Sequence, residues 1–129
     1  MRGSYLLDTS VIVDIFAGDQ QVVVQLAMAD NGFVPSIAIG ELAYGALKSA
    51  RVEDNLNQIK RFAGANVVIS YDEETGYWYG VVKDGLRRAG HPIPENDIWI
   101  AAIALQYDLT VATKDRHFEF VPDLNVEMW

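Results

Sequence analysis

Short and long apolar runs alternate along the chain, and this pattern predicts an α/β protein. Short runs bounded by turn residues predict strands, whereas longer stretches with apolar residues at helical spacing predict helices. The predicted strands lie at 4–10, 33–35, 67–69, 109–113 and 126–128, the last as an edge strand. The predicted helices lie at 11–17, 20–29, 37–47, 51–63, 73–89 and 96–105. Strands separated by helices favour buried parallel strands in an open sheet, which binds ligands at its carboxyl edge.

Capping residues define several of the predicted helix ends. Asp19, Ser36 and Asp72 each stand immediately before a helical stretch, and all three are favoured N-cap residues. Pro94 begins the helix at 96–105, since proline suits the first turn of a helix. This helix is apolar on every side, which predicts that it is buried on every side.

The length and composition predict one globular domain. A chain of 129 residues, taken as a single domain at 1–129, is large enough to bury a core, and 50% of its residues are hydrophobic. It has no cysteine, so disulfides and thiolate-bound zinc are excluded, and we predict a location in the reducing cytoplasm. The longest apolar run, 98–105, is far shorter than the roughly 20 residues of a membrane span, so no membrane association is predicted.

The net charge restricts how the protein could bind a nucleic acid. It is −8, from 10 Lys and Arg against 18 Asp and Glu. Proteins that hold nucleic acid by its phosphates normally present a basic face, because release of counterions supplies much of the affinity. A nucleic-acid partner here would need bound metal ions, a local basic rim or a basic protein partner.

Two of the predicted strands end in a carboxylate. Asp8 follows an apolar run at the N-terminus, and Asp115 follows the run at 109–113. Because the carboxyl ends of parallel strands meet at one edge of a sheet, we expect these two side chains to share a site. The alternative for Asp8 is that it, or Thr9, only caps the following helix.

Two further acids stand in helices. Glu41 has Ile37, Ala38 and Tyr44 at helical spacing and no cation in reach, so burial would require a proton or a bound cation. The alternative is an exposed Glu on an apolar helix. Asp97 lies in the first turn of the buried helix, which we expect to face the edge of the sheet. The alternative there is an acid that only stabilises the helix dipole.

Carboxylates without nitrogen or sulfur ligands favour Mg²⁺ or Mn²⁺. Converging carboxylates repel one another and raise one another's pKa until a cation binds. A bound ion could activate water and orient a phosphodiester. Thr9, Ser10, Asn96 and Thr113 are candidate donors to that water or to a phosphate oxygen. The two histidines, His91 and His117, are too sparse for a zinc site, and each is predicted to be a surface or hydrogen-bonded residue without a catalytic role.

Four acidic motifs give the chain a resemblance to a known family. The motifs are Leu6-Leu7-Asp8-Thr9-Ser10, Ile39-Gly40-Glu41-Leu42, Asn96-Asp97-Ile98-Trp99-Ile100-Ala101-Ala102 and Thr113-Lys114-Asp115-Arg116-His117-Phe118. In this order the chain resembles PIN-domain ribonucleases, specifically the VapC toxins of bacterial toxin–antitoxin pairs. The resemblance implies a three-layer α/β/α fold with a mainly parallel sheet, and Mg²⁺- or Mn²⁺-dependent cleavage of RNA.

The same resemblance implies a set of site residues and partners. Asp8, Glu41, Asp97 and Asp115 would form the acidic metal site, and none of these four positions departs from the family pattern. It also implies a homodimer and a cognate antitoxin, a VapB-type protein, whose tail blocks the site. The negative net charge makes a basic rim more necessary, for which the candidates are Lys48, Arg51, Lys114 and Arg116.

Three other functions compete with a nuclease. A receiver-like signalling domain also has an acidic Mg²⁺ pocket, but it requires adjacent acids after the first strand and a phosphoacceptor Asp after the third. An aspartyl phosphatase requires a second Asp two residues beyond its nucleophile, and Ser10 stands there instead. A non-catalytic module on a decayed nuclease fold is disfavoured because all four acids are present.

Overall fold

The computed structural model describes residues 3–129; Met1 and Arg2, which the predicted domain at 1–129 includes, lie outside the described residues. Five strands form one sheet. They are β1 (Ser4–Leu7), β2 (Asn31–Pro35), β3 (Val67–Ile69), β4 (Thr110–Thr113) and β5 (Val126–Met128). The helices are α1 (Thr9–Phe16), α2 (Gln20–Met28), α3 (Ser36–Leu47), α4 (Val52–Ala65), α5 (Glu73–Ala89) and α6 (Glu95–Tyr107). A 3₁₀ helix at Arg116–Phe120 follows β4.

The order of the strands creates a crevice beside β1. The strands run in the order β3-β2-β1-β4-β5, and every neighbouring pair is parallel. The chain therefore moves outward from β1 to β3 and then crosses back to place β4 on the other side of β1. In open α/β sheets the crevice at such a reversal, outside the carboxyl ends of the strands, is where ligands bind.

Neighbouring residues of the central strands supply the cores on the two faces of the sheet. Leu6 and Val111 pack in the core formed with α5 and α6. Leu7 and Ala112 pack in the core formed with α1, α2, α3 and α4. All four side chains are fully buried, because both faces of a parallel sheet are covered by helices. The expected three-layer α/β/α fold with a mainly parallel sheet is confirmed.

Several predicted boundaries are confirmed by local contacts. Strand β3 has the predicted limits, and β5 is an edge strand as predicted. Asp19 caps α2 by accepting a hydrogen bond from the Val22 amide at 3.2 Å. Asp72 and Thr75 form a reciprocal capping box at the start of α5.

Other boundaries differ from the prediction. The strand predicted at 4–10 ends at Leu7, because the amides of Val11 and Ile12 already donate to the Asp8 carbonyl and begin the helix. Pro35, not Ser36, is the N-cap residue of α3, and it supplies no side-chain hydrogen bond.

Helix α4 and strand β2 are longer than predicted. Helix α4 continues past the predicted end at 63, through Gly64, to Ala65. Strand β2 begins two residues before the predicted start at 33, because Asn31 and Gly32 pair with Ser4 and Tyr5 of β1.

Within residues 3–129 no single helix is both long and apolar enough to cross a membrane. Helices α1 and α2 reach the necessary length and apolar composition only as a pair, and they are bent by 114° relative to one another.

Candidate functional site

Asp8 lies in the crevice between the carboxyl ends of β1 and β4. It is only 2% exposed, and its amide donates to the Ala112 carbonyl at 3.0 Å, so it is held in the sheet. Its side chain makes no capping hydrogen bond to α1. Instead its Oδ2 accepts hydrogen bonds from Ser10 Oγ and Thr113 Oγ1, each at 2.8 Å. The alternative that Asp8 serves as a capping side chain is therefore wrong.

The same two hydroxyls connect the ends of β1 and β4. Ser10 Oγ accepts from the Lys114 amide at 3.2 Å, and Thr113 Oγ1 accepts from the Asp115 amide at 2.9 Å. Each hydroxyl thus donates to Asp8 and accepts from the chain that leaves β4. This arrangement brings Asp115 to the same edge of the sheet, close enough for its charge to act on Asp8.

Glu41 reaches the site from α3. Because α3 begins directly after β2, its first turns lie beside the carboxyl edge of the sheet. The Glu41 side chain is half-buried, and its Oε1 accepts a hydrogen bond from Thr9 Oγ1 at 2.7 Å. The alternative of a freely exposed Glu41 is therefore wrong.

Asp97 reaches the site from the first turn of α6. The residue is 8% exposed, and its Oδ2 lies 2.6 Å from His117 Nε2. Burial raises the pKa of Asp97 to about 6; the charges of Asp8 and Glu41 add to this effect, and His117 opposes it. Asp97 thus interacts with His117, Asp8 and Glu41 on other elements, and the alternative that it only stabilises the helix dipole is wrong.

Burial also raises the pKa of Asp8. The hydrogen bonds from Ser10 and Thr113 oppose that shift, whereas the charge of Asp115 adds to it. Desolvation and like charges both disfavour the ionised form of a carboxyl group. Ionising Asp8 and Asp97 therefore costs free energy in the absence of a cation, as expected for converging carboxylates.

His117 is the residue of this site that the sequence did not reveal. The sequence predicts a surface or hydrogen-bonded residue without a role in the site, and its ring is indeed hydrogen-bonded, but to one of the four acids. It stands in the 3₁₀ helix two residues beyond Asp115. That position, just after a strand that ends in a carboxylate, was the available signal, but the partner Asp97 lies on another element.

The remaining predicted donor and the predicted basic rim have different surroundings. Asn96 is exposed in the first turn of α6 and makes no side-chain hydrogen bond to residues 3–129. Three of the four rim cations are paired with acids, in Arg51–Asp54, Lys114–Asp14 and Arg116–Glu119, and Lys48 lies over the Tyr44 ring. The pairs of Arg51 and Arg116 are exposed and therefore weak, so these two cations remain available to an anionic partner, whereas Lys114 is partly buried and its Nζ also donates to the Trp129 carbonyl at 3.0 Å.

Comparison with known proteins places this geometry in a family. The family described as PIN domain matches residues 5–124. The chain belongs to the PIN-domain family. Ribonuclease VapC2 of Haemophilus influenzae is 32% identical to this PIN domain over 128 residues, which cover 97% of each chain. The tRNA(fMet)-specific endonuclease VapC of Salmonella typhimurium is 35% identical over 97 residues, which cover 74% of each chain.

Solved structures have the same fold as this PIN domain. A DNA-bound VapBC from Salmonella typhimurium superimposes with a TM-score of 0.90 at 30% identity, covering 100% of this chain and 99% of the other. VapBC2 from Rickettsia felis, bound to a DNA fragment from its promoter, gives a TM-score of 0.88 at 28% identity, with 97% and 98% covered.

The topology of the PIN domain also excludes the receiver-like alternative. Receiver sheets have the order 2-1-3-4-5, which places the third strand beside the first. Here β3 is at the edge of the sheet, and β2 separates it from β1. Asp72, the acid that follows β3, is committed to capping α5.

The donor chemistry of the site suits a hard divalent cation. Glu41 Oε2, Asp97 Oδ1 and the carboxylate of Asp115 have no hydrogen-bond partner among residues 3–129, and none of these oxygens is fully buried. No group of three or more His, Asp or Glu side chains in the described chain is gathered closely enough to hold an ion alone. Mg²⁺ tolerates such a site, because it is usually bound by one or two carboxylates and retains several waters.

Proposed function

We propose that this PIN domain is a VapC-type endoribonuclease that hydrolyses RNA phosphodiester bonds with Mg²⁺ or Mn²⁺. The observation that carries the proposal is that four acids meet at one sheet edge, with Asp8 and Asp115 at the ends of β1 and β4, Glu41 on α3 and Asp97 on α6. Asp97 is repelled by Asp8 and Glu41, and Asp8 is repelled by Asp115. Such a cluster lowers its free energy by binding a cation, and oxygen ligands select Mg²⁺ or Mn²⁺. The VapC relatives support RNA as the substrate.

In this proposal one or two of the four acids bind the ion directly, the others reach it through the waters it retains, and the neighbouring hydroxyls orient the acids. A divalent cation bound here would supply an activated water and neutralise charge on the scissile phosphate. The hydroxyls of Ser10 and Thr113 hold Asp8 by one oxygen, and Thr9 holds Glu41 in the same way. The exposed Asn96 amide, at the N-terminus of α6, would donate to a phosphate oxygen of the bound RNA.

The related complexes support an antitoxin partner for this chain. The similar Salmonella and Rickettsia structures are of VapBC and VapBC2, so we propose a cognate VapB-type antitoxin for this chain. We also propose that the protein acts in the cytoplasm, a location with which a chain without cysteine is compatible. A groove of about 300 Å³ opens beside Thr9 and Glu41 between α1, α3 and α4, and an antitoxin segment seated there would block the acids. A basic antitoxin would also complement the charge of −8.

We further propose a homodimer. Light scattering during size-exclusion chromatography should give twice the chain mass of 14.3 kDa. A mass equal to one chain at micromolar concentration would contradict the dimer without affecting the nuclease proposal.

The nuclease proposal is tested by incubating a total RNA pool with purified protein. Reactions contain Mg²⁺, Mn²⁺ or EDTA, and the variant Asp97→Asn is compared with Asp108→Asn. Asp108 is a matched control because it is an exposed acid at the opposite end of α6, and its positive φ of 54° is one that Asn also adopts. We expect discrete products with metal for the wild type and Asp108→Asn, and none for Asp97→Asn.

The outcomes separate the nuclease from its remaining rival. Intact RNA in every reaction, together with Mn²⁺ binding by calorimetry, would favour a non-catalytic module on a decayed nuclease fold. Products that form equally well in EDTA, or with Asp97→Asn, would refute the metal-dependent mechanism.

A further inference from the structure

The contact between His117 and Asp97 joins two elements at the acidic site. His117 lies in the 3₁₀ helix after β4, where Phe118 is fully buried and anchors the segment in the core. The side chains of His117 and Asp97 are 29% and 12% exposed, so the contact is largely shielded from water. The separation of 2.6 Å between Nε2 and Oδ2 is short for a hydrogen bond from nitrogen to oxygen, as charge-assisted bonds are.

The chemistry of the pair determines its direction. An ionised carboxylate only accepts hydrogen bonds, so Nε2 carries the proton and donates to Asp97. A ring nitrogen engaged in this way is not available to ligate a metal ion. The other Asp97 oxygen, Oδ1, has no hydrogen-bond partner among residues 3–129.

We infer that His117 is a positioning residue, which holds Asp97 by Oδ2 so that Oδ1 is presented to a divalent cation. This inference rests on the proposed function, because it concerns the same acidic site. The charges of Asp8 and Glu41 both repel Asp97. Without the hydrogen bond from His117, the Asp97 carboxylate gains freedom to rotate away from these neighbours. The cation would then have to restore that orientation at a cost in affinity.

Calorimetric titration with Mn²⁺ tests the inference without any measurement of cleavage. Loss of a residue that orients a metal ligand typically weakens metal binding by about 10- to 100-fold. We expect His117→Ala to bind Mn²⁺ at least about tenfold more weakly than the wild type. We expect His117→Gln to recover most of the affinity, because its side-chain amide retains a donor near the position of Nε2.

The second histidine provides a matched control. His91 is exposed, and its ring stacks on Phe120 with 4.1 Å between ring centroids. His91→Ala removes the same imidazole from a different contact and should bind Mn²⁺ like the wild type. Circular dichroism confirms that each variant is folded before titration. The ¹⁵N spectrum of the metal-free wild type should show the proton of His117 on Nε2.

The outcomes distinguish this inference from the proposed function. Wild-type Mn²⁺ affinity in folded His117→Ala would overturn the positioning role and leave the nuclease intact. His117→Gln that binds no better than His117→Ala would overturn the role of the donated hydrogen bond. A wild type that binds no Mn²⁺ would refute the metal-dependent function itself, and this inference with it.

Discussion

Replacing Asp97 by Asn should make the metal-free protein more stable at neutral pH. Burial and the charges of Asp8 and Glu41 raise the pKa of Asp97 to about 6, from an ordinary value of 3.8. Asparagine removes the charge but keeps a side-chain oxygen that can accept the hydrogen bond from His117 Nε2. The substitution therefore removes the electrostatic cost while the contact between α6 and the 3₁₀ helix is retained.

The size of the effect follows from the two pKa values. A tenfold change in an ionisation constant is worth about 1.4 kcal/mol. A pKa of about 6 in place of 3.8 means that ionising Asp97 costs the folded state on the order of 3 kcal/mol. Since its pKa is higher in the folded state, the stabilisation from Asp97 is complete below pH 3.8 and is lost as the pH rises through about 6.

Urea unfolding in EDTA, at a series of pH values, measures this prediction. The gain in free energy of unfolding for Asp97→Asn over the wild type should be small near pH 4 and reach its full size above about pH 7. Asp108→Asn, at the exposed end of α6, should change stability by less than about 0.5 kcal/mol at any pH. An Asp97→Asn variant no more stable than the wild type at pH 7 would refute the assignment of repulsion at this site.

Three further predictions use the same unfolding assay. Thr113→Val should cost about 1–3 kcal/mol, because Asp8 is 2% exposed and loses one of its two hydroxyl donors; an unchanged stability would contradict that hydrogen bond. Asp72→Ala should destabilise the protein through loss of the capping box, and should do so less as the pH falls through the lowered pKa of Asp72; a loss independent of pH would contradict a role for its charge. Gly90→Ala should cost about 1 kcal/mol because φ is +73°, whereas Gly80→Ala within α5 should stabilise, and equal effects would be inconsistent with this backbone.

The limits of β3 and α5 were predictable from the sequence, because they depend on residues that are close together along the chain. The three-residue apolar run of β3 and the capping residue Asp72 before α5 each operate over a few residues of chain. The predicted limits are correct in both places. The predicted start of α3 was wrong, because Pro35, the last residue of β2, is the N-cap residue in place of Ser36.

The sequence by itself determined which four acids stand just after strands or in the first two turns of helices, because those positions follow from local apolar patterns. Only the tertiary structure decided what each acid contacts. Thr113 meets Asp8 across 105 residues, Thr9 meets Glu41 across 32, and His117 meets Asp97 across 20. Such contacts depend on which strands are neighbours and how the helices pack on them. Periodicity along the chain carries no information about that pairing, and so the role of His117 emerged only from the fold.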